Sequence, residues 1–462
     1  MKKTVLSLLM VLTMFTLKGI AQTTPPAKSD VPANIDTLAK EVSSLKKQFV
    51  DLKKLKFSGW IQAQFQVADL RGIETYAGGS NFNANVDKRF SVRRGRLKLI
   101  YDNGLSLYNI QIDISERGVQ MREMFVKITD PWTKTFKLTV GMFNRPFGYE
   151  ISQSSSVRET PERARLSQSL FFNERDMGAW LTIQAPQASK MHFLKLDLAM
   201  VSGTGITNVN NIGAAIFDPN KNTNNNTSGG GDFDFQKDFI GRISAEKETK
   251  SKKFMISGGL SYYNGGYRTG NKQIWSNTVL AGDVKGFKVD SSSSNLGSVV
   301  KRIHYGADLQ LKIDWFLGTT ILRGEAIFGQ MPGLGFRTYN ATPYSQPITP
   351  IYNRNFSGAY FYFVQRIAKS KHTVVVKYDW YDPNTSLKGK DITGLNGTST
   401  TDVRFDTWGF GYLYDWDANV KISFYYDMVK NESTLISNTD RVKDYSRDIK
   451  DNVFTARIQY KF

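Results

Sequence analysis

Through most of its length, the chain repeats short segments in which apolar and polar residues alternate one by one. The last segment, residues 451–462, places Phe454 and Ile458 on one face and Arg457 and Lys461 on the other. This period of two is typical of a β-strand with one apolar and one polar face. Sixteen such segments can be counted, so we predict an all-β fold of sixteen strands.

The polar faces of these segments carry too many charges for a dry core. Ile110 and Ile112, for example, stand opposite a face with Asn109, Gln111 and Asp113. Burying unpaired charges is costly, so the charged faces must meet water. A closed barrel with an apolar outside and a water-filled lumen satisfies both faces. The pattern therefore predicts a sixteen-stranded antiparallel transmembrane β-barrel.

The connections between the segments alternate between short and long. Short turns occur at 102–104 and 417–418, for example, and long connections at 143–175 and 202–236. Outer-membrane barrels have short periplasmic turns and long outer loops. We therefore expect both ends of the barrel domain on the periplasmic side. Connection 115–119 breaks the rule, because its position calls for a long outer loop and it is short.

The first residues indicate export. Lys2 and Lys3 precede an apolar run, and 19–21 offers small residues for cleavage, so 1–21 is predicted to be a signal peptide. The sequence after it holds no apolar run of about 18 residues that could form a transmembrane helix. It also contains no cysteine and hence no disulfide framework. We expect the protein in the bacterial outer membrane.

A helical segment is predicted before the barrel. Residues 22–34 have the composition of a linker, 35–56 form the helical segment, and 57–462 form the barrel domain. Spacings of three and four predict a periplasmic coiled coil for oligomerisation. An ordinary amphipathic helix is the alternative, because three heptads are marginal alone. The apolar positions are Ile35, Leu38, Val42, Leu45, Phe49 and Leu52.

The net charge predicts anionic partners. The formal charge is +19, and the signal segment carries three lysines and no acid, which leaves 19 − 3 = +16. A basic excess of this size attracts anions. Nucleic acid is not expected as a partner, because the chain is predicted to be exported.

One predicted strand carries a row of cations. Arg94, Arg96 and Lys98 fall on its polar face, about 6.6 Å apart along the strand, so an anion could pass from one to the next. The alternative is a solvated face balanced by lumenal acids such as Asp113 and Glu123.

Arg93 directly precedes this row of cations in the sequence. Alternation places it outward, where it would snorkel or meet another subunit. Connection 143–175 adds further cations, and other strands add a few more. The remaining candidates for an anion path are Arg145, Arg158, Arg163, Arg165, Arg175, Lys312, Arg323 and Arg457.

Several motifs resemble one known family. VGMFNRPFGYE at 140–150, RRGRLKL at 93–99, and the IQIDIS and REMFVKI segments are similar to the phosphate-selective porin O and P family. The resemblance implies a homotrimer of sixteen-stranded channels in outer-membrane lipid. It also implies that lumenal Arg and Lys guide small anions such as phosphate, and that an inward loop forms part of the constriction. Glu123-Met124-Phe125 departs from the acid-alanine-aromatic run expected there, which leaves the permeant anion open.

Other functions are less well supported by the sequence. The histidines His192, His304 and His372 lie in no recognisable catalytic or metal-binding motif, so we predict no catalytic residue, metal or cofactor. We expect an anion-selective channel for phosphate or another oxyanion. The alternatives are a general or substrate-specific porin for other small anionic or polar solutes, and a structural or adhesive barrel. Single-channel conductance distinguishes a channel from a closed barrel.

Overall fold

The computed structural model describes most of the chain in five ranges. The predicted signal peptide, 1–21, and residues 22–30 of the predicted linker lie outside the described residues. The chain divides into two units, Met1–Lys54 and Leu55–Phe462, and each is described by itself. The described ranges are 31–116, 118–171, 174–205, 234–335 and 347–462.

The described residues of the first unit form one helix, α1, which spans Val31–Lys54. It begins four residues before the first residue of the predicted segment 35–56 and ends two residues before the last residue of that segment. The apolar side chains of Leu38, Val42 and Leu45 are exposed on α1. An exposed stripe of this spacing matches the seam that a coiled-coil partner covers. Among the described residues, no helix is both long and apolar enough to cross a membrane.

The described residues of the second unit form a sheet of eighteen strands. Two of them, Ile274–Val279 and Lys285–Asp290, form a hairpin outside the wall of the barrel, which leaves 18 − 2 = 16 wall strands. The strands are β1 Leu55–Ala68, β2 Lys88–Asp102, β3 Ser106–Ser115, β4 Gly118–Thr129, β5 Phe136–Asn144, β6 Arg175–Gln184, β7 Leu194–Val201, β8 Asp238–Glu248, β9 Phe254–Arg268, β10 Ile274–Val279, β11 Lys285–Asp290, β12 Val299–Trp315, β13 Gly318–Leu334, β14 Ile351–Arg366, β15 His372–Asp382, β16 Phe405–Asp415, β17 Val420–Asn431 and β18 Val453–Lys461.

The wall strands close into an antiparallel barrel. β1 pairs with both β2 and β18, and β9 pairs with β12 past the hairpin. At the seam, Gly59 and Phe462 exchange two backbone hydrogen bonds of 3.0 Å. All wall pairs are antiparallel, and the predicted sixteen-stranded barrel is confirmed.

The two faces of the wall follow the sequence alternation. Ile110, Leu309 and Ile458 are exposed on the outside, whereas Asp308 and Arg457 are buried on the inside. Exposed aromatic side chains also cluster at the short turns, as expected for a membrane-interface girdle. These side chains are Trp132, Trp315, Phe316 and Trp416.

The outer connections pack together instead of extending separately into solvent. The hairpin β10–β11 pairs in parallel with the start of β14 through Ile274 and Ile351. Trp275 of the hairpin stacks on Tyr352, with ring centroids 5.3 Å apart. The short connection after β3 is also present, because Ser115 pairs directly with Gly118.

Candidate functional site

The connection between β5 and β6, residues 145–174, folds into the barrel interior. We call it the inward loop. It contains one short helix, α2, spanning Arg165–Leu170, and most of its side chains are buried. A polar loop can be buried only when its backbone groups find partners. Its contacts with the wall therefore define where solutes can pass.

Hydrogen bonds fix the start of the inward loop to β9 and β13. The Gly148 amide donates to Ser261 Oγ at 3.0 Å, and the Tyr149 amide donates to a Glu325 carboxylate oxygen at 3.1 Å. Gly148 has a φ of 60°, and a Cβ there would meet the Glu325 carboxylate. Glycine adopts this left-handed conformation without strain, and any other residue would also have to displace the Glu325 side chain.

An aromatic cluster holds the same side of the loop. Phe147 and Phe171 of the loop pack against His304 with ring centroids 6.3 and 5.6 Å apart. Tyr263 stacks on His304 at 5.1 Å, and Phe356 meets it edge-on at 5.1 Å. All five rings are almost fully buried. This part of the barrel interior is therefore a packed apolar cluster. The alternation of apolar and charged faces in the sequence did not predict it.

The middle of the inward loop is bound to the opposite wall. Gln62 Nε2 on β1 donates to the Ser155 carbonyl oxygen at 2.9 Å. Gln459 Nε2 on β18 donates to the Ser156 carbonyl oxygen at 2.9 Å. The loop therefore crosses the lumen from β9 and β13 to β1 and β18.

Glu162 of the inward loop binds three arginines of the wall. Arg93 contacts both of its carboxylate oxygens at 2.8 and 2.9 Å, Arg94 contacts it at 2.9 Å, and Arg457 at 3.2 Å. Burial alone would raise the pKa of Glu162, but Arg93, Arg94 and Arg457 outweigh it and hold the pKa well below its usual range. Glu162 is therefore ionised at neutral pH.

A second group of ion pairs continues toward the end of the barrel that carries the short turns. Asp113 on β3 lies 3.2 Å from Arg96 and 3.3 Å from Arg122. Arg175 lies 3.4 Å from Glu123. Lys98 also reaches Glu123, at 3.8 Å.

Glu174 completes this second group from the inward loop. It pairs with Arg163 and Arg175. Burial opposes its ionisation, but these two guanidinium groups lower the pKa of Glu174 well below its usual range. It is a fixed negative charge at the end of the loop.

Together these ion pairs hold twice as many cations as carboxylates. We call this set the cationic network. Its eight cations are Arg93, Arg94, Arg96, Lys98, Arg122, Arg163, Arg175 and Arg457, and its four carboxylates are Asp113, Glu123, Glu162 and Glu174. Its formal charge is 8 − 4 = +4.

Two of these arginines occupy β-bulges. The pairing register shifts so that Gln62 opposes Arg94 and Ala63 opposes Val92, which leaves Arg93 unpaired on β2. β-bulges of this kind redirect a side chain. The prediction that Arg93 faces outward is therefore wrong, because the bulge turns its guanidinium toward Glu162.

The same irregularity occurs on β4 at Arg122, which the sequence analysis did not select. The register there shifts between Gln111, which opposes Glu123, and Ile112, which opposes Met121. Both bulges have a sequence signal, namely two consecutive charged residues where alternation allows one. These pairs are Arg93-Arg94 and Arg122-Glu123.

Cavities lie on the two sides of the inward loop. The outer cavity, of about 430 Å³, is lined by Tyr76, Arg93 and Arg122, among others. The inner cavity, of about 560 Å³, is lined by residues near the short turns, such as Gln184 and Lys195. The cationic network contributes to both cavities.

The structure brings together six of the eleven predicted residues, which are Arg94, Arg96, Lys98, Arg163, Arg175 and Arg457. Arg158 lies beside them and donates to the carbonyl oxygens of Thr160 and Pro161. The other four pair elsewhere: Arg145 with Asp176, Arg165 with Asp451, Lys312 with Asp314, and Arg323 with Glu159. In the described part of the chain, no group of His, Cys, Asp and Glu could hold a metal ion.

Residues 70–231 match the sequence model of a family described as phosphate-selective porin O and P. The predicted family resemblance is confirmed. The match includes β2 to β7 and the inward loop, so it contains most of the cationic network. Together with the sixteen-stranded barrel, this match supports an outer-membrane porin channel. No curated protein matches the sequence.

The fold of the barrel is similar to that of the solved structure of OprB. OprB of Pseudomonas putida aligns with a TM-score of 0.57 at 10% identity and covers 91% of this chain and 97% of its own. The channel DcaP of Acinetobacter baumannii has a TM-score of 0.48 at 11% identity and covers 88% of this chain and 97% of its own. OmpF of Salmonella typhi has a TM-score of 0.48 at 11% identity and covers 88% of this chain and 97% of its own.

Proposed function

We propose that this porin is an anion-selective diffusion channel of the outer membrane. The observation that carries the proposal is the ratio of eight cations to four carboxylates in the cationic network. A narrow lumen with low-dielectric walls focuses the field of fixed charges and raises the local anion concentration. An excess of +4 at the inward loop favours anions over cations there.

The carboxylates of the network give the cations a defined geometry. A guanidinium held by a carboxylate on one edge can still donate to a passing oxyanion from another edge. Several spaced cations of moderate affinity suit conduction better than one deep site, because the ion must also leave. The path runs from the outer cavity, past the network, to the inner cavity. Phosphate is a candidate permeant anion because the matching family is described as phosphate-selective.

The reversal potential of the purified protein in a KCl gradient across a planar bilayer tests this proposal. Chloride should carry more of the current than potassium, and the preference should grow at low salt, where screening is weaker. A preference for potassium would contradict it. Adding inorganic phosphate to one side then measures whether phosphate blocks or carries current.

We also propose that the porin is a homotrimer joined partly by α1. The exposed stripe of Leu38, Val42 and Leu45 supports a coiled coil. Deletion of residues 22–53 leaves β1 intact and should lower the temperature at which the oligomer dissociates on a native gel. An unchanged dissociation temperature would remove the role of α1.

Mass spectrometry of the mature protein should place its first residue at Gln22 if 1–21 is a signal peptide.

A further inference from the structure

The outer cavity has two chemically different sides. Besides carboxylates such as Asp113, its lining includes the bulge residues Arg93 and Arg122, which we call the arginine side, and aromatic rings from Tyr76, Phe405 and Tyr445, which we call the aromatic side. Its volume of about 430 Å³ lies in the range of small-molecule sites. The arginine side alone can bind an inorganic oxyanion. The aromatic side therefore indicates a further contact that an inorganic oxyanion does not make.

The arginine side is accessible because of the bulges. The side chains of Arg93 and Arg122 keep 19% and 15% exposure. The other arginines of the network keep 3–6%. Glu162 and Asp113 hold the two bulge guanidinium groups in place, so an anion in the outer cavity meets preorganised donors.

The aromatic side already binds one planar cation. The Arg165 guanidinium carbon lies 3.6 Å from the Phe405 ring centroid and 4.8 Å from the Tyr76 ring centroid. Ring faces of this kind attract planar groups and other rings. Tyr76 is the less buried of the two rings, so it offers more surface to a solute.

We propose that the outer cavity binds organic anions that carry an aromatic ring. The anionic group meets Arg93 and Arg122, and the ring packs against Tyr76 and Phe405. This inference rests on the proposed anion selectivity and specifies the class of solute. Small inorganic anions pass the same arginines without the aromatic contribution.

Benzenesulfonate and methanesulfonate test this inference, because they share one anionic group and differ in a phenyl and a methyl group. Each is added to the outer side of the full-length porin in a bilayer, and the concentration that halves the KCl current is measured. Benzenesulfonate should block at a concentration about 2- to 12-fold lower, which corresponds to one aromatic contact. Tyr76→Leu and Phe405→Leu should each reduce this ratio toward one.

Phe235→Leu is the matched control, since Phe235 is an exposed outer-loop residue that does not line the cavity and its replacement should leave the ratio unchanged. Equal block by both sulfonates, or an unchanged ratio in conducting Tyr76→Leu, would overturn the inference. The KCl reversal potential in the same bilayers keeps the two proposals separate. A cation-selective wild type would refute the proposed function, whereas anion selectivity with equal block refutes only the aromatic solute class.

Discussion

The interior of the barrel contains two sectors that use charge in opposite ways. In the cationic network, on β2, β3, β4, β6, β18 and the inward loop, eight cations share four carboxylates. In a second group, on β6, β8, β12, β15, β17 and the start of the inward loop, four cations meet five carboxylates. We call this second group the packed sector. Its ion pairs are Arg145–Asp176, Arg242–Asp308, Arg302–Asp238 and Lys377 with Asp379 and Asp427.

The comparison separates two roles of the same residue types. In the packed sector, five carboxylates outnumber four cations, so this group has no cationic excess. Its Arg302 lies 5.1 Å from the ring centroid of Tyr263 in the aromatic cluster that holds the inward loop. In the cationic network, the carboxylates are too few to neutralise the cations. We therefore propose that the ratio of cations to carboxylates, more than the number of arginines, sets which side of the interior attracts anions.

Charge reversal in the network should have the largest effect on selectivity. Arg94→Glu with Arg96→Glu leaves 8 − 2 = 6 cations and 4 + 2 = 6 carboxylates, so the formal excess of +4 falls to zero. The reversal potential should shift toward potassium, most strongly at low salt. Lys195→Glu with Lys312→Glu is the control, because both lysines pair singly with aspartates outside the network. Equal shifts in the two double variants would show that the cationic network has no special role in selectivity.

Removal of one carboxylate should have a smaller effect of opposite sign. Glu162→Gln raises the formal excess to 8 − 3 = +5 and leaves three arginines without their shared carboxylate. The reversal potential should move further toward chloride, and phosphate should block the current at lower concentration. Glu159→Gln, which removes only the partner of Arg323, should change both quantities less. A loss of chloride preference in Glu162→Gln would contradict this assignment.

Acidification should produce a still smaller change through the outer cavity. Burial raises the pKa of Asp451 to about 6 despite the nearby Arg165, with Asp448 and Asp69 adding to the rise. Below pH 6 this carboxyl becomes neutral, and Arg165 loses its negative partner at 3.5 Å. Glu162 and Glu174 stay ionised because their pKa values are lowered. Chloride preference should therefore rise slightly from pH 7 to pH 5, and Asp451→Asn should weaken that pH response.

Damage to the packed sector should change selectivity least. Phe147→Ala removes a fully buried ring that contacts Phe171, Tyr263 and His304. It should destabilise the anchored loop by about 3–5 kcal/mol. Larger conductance and a lower unfolding temperature are expected, with little change in reversal potential. A large selectivity change from this variant would show that the packed sector also sets the ion preference.

Much of the fold could be predicted from the sequence, because alternation is a local property. The outward face of Ile110, the inward face of Arg457 and the sixteen strands all follow from it. The hairpin β10–β11 was not predicted, because its strands are six residues long and lie within a connection taken as a loop.

The candidate site was less predictable, because its geometry depends on contacts between distant parts of the chain. The ion pair of Arg457 with Glu162 joins residues 295 positions apart. The bulges at Arg93 and Arg122 depend on pairing with the neighbouring strands, and they reverse the face that simple alternation gives. The structure buries the predicted residues Arg94, Arg96 and Arg457 inside the barrel, but the carboxylate that each one meets could not be read from spacing.

Cysteine accessibility tests the two-sector account most directly, because the natural chain has no cysteine. Lys98→Cys lies on the short-turn side of the network, and Ser261→Cys lies in the packed sector beneath Gly148. An anionic methanethiosulfonate is added on the outer side while the current is recorded. The account predicts rapid modification and a fall in current for Lys98→Cys, with Ser261→Cys unreactive. Rapid reaction of Ser261→Cys with an unreactive Lys98→Cys would contradict it.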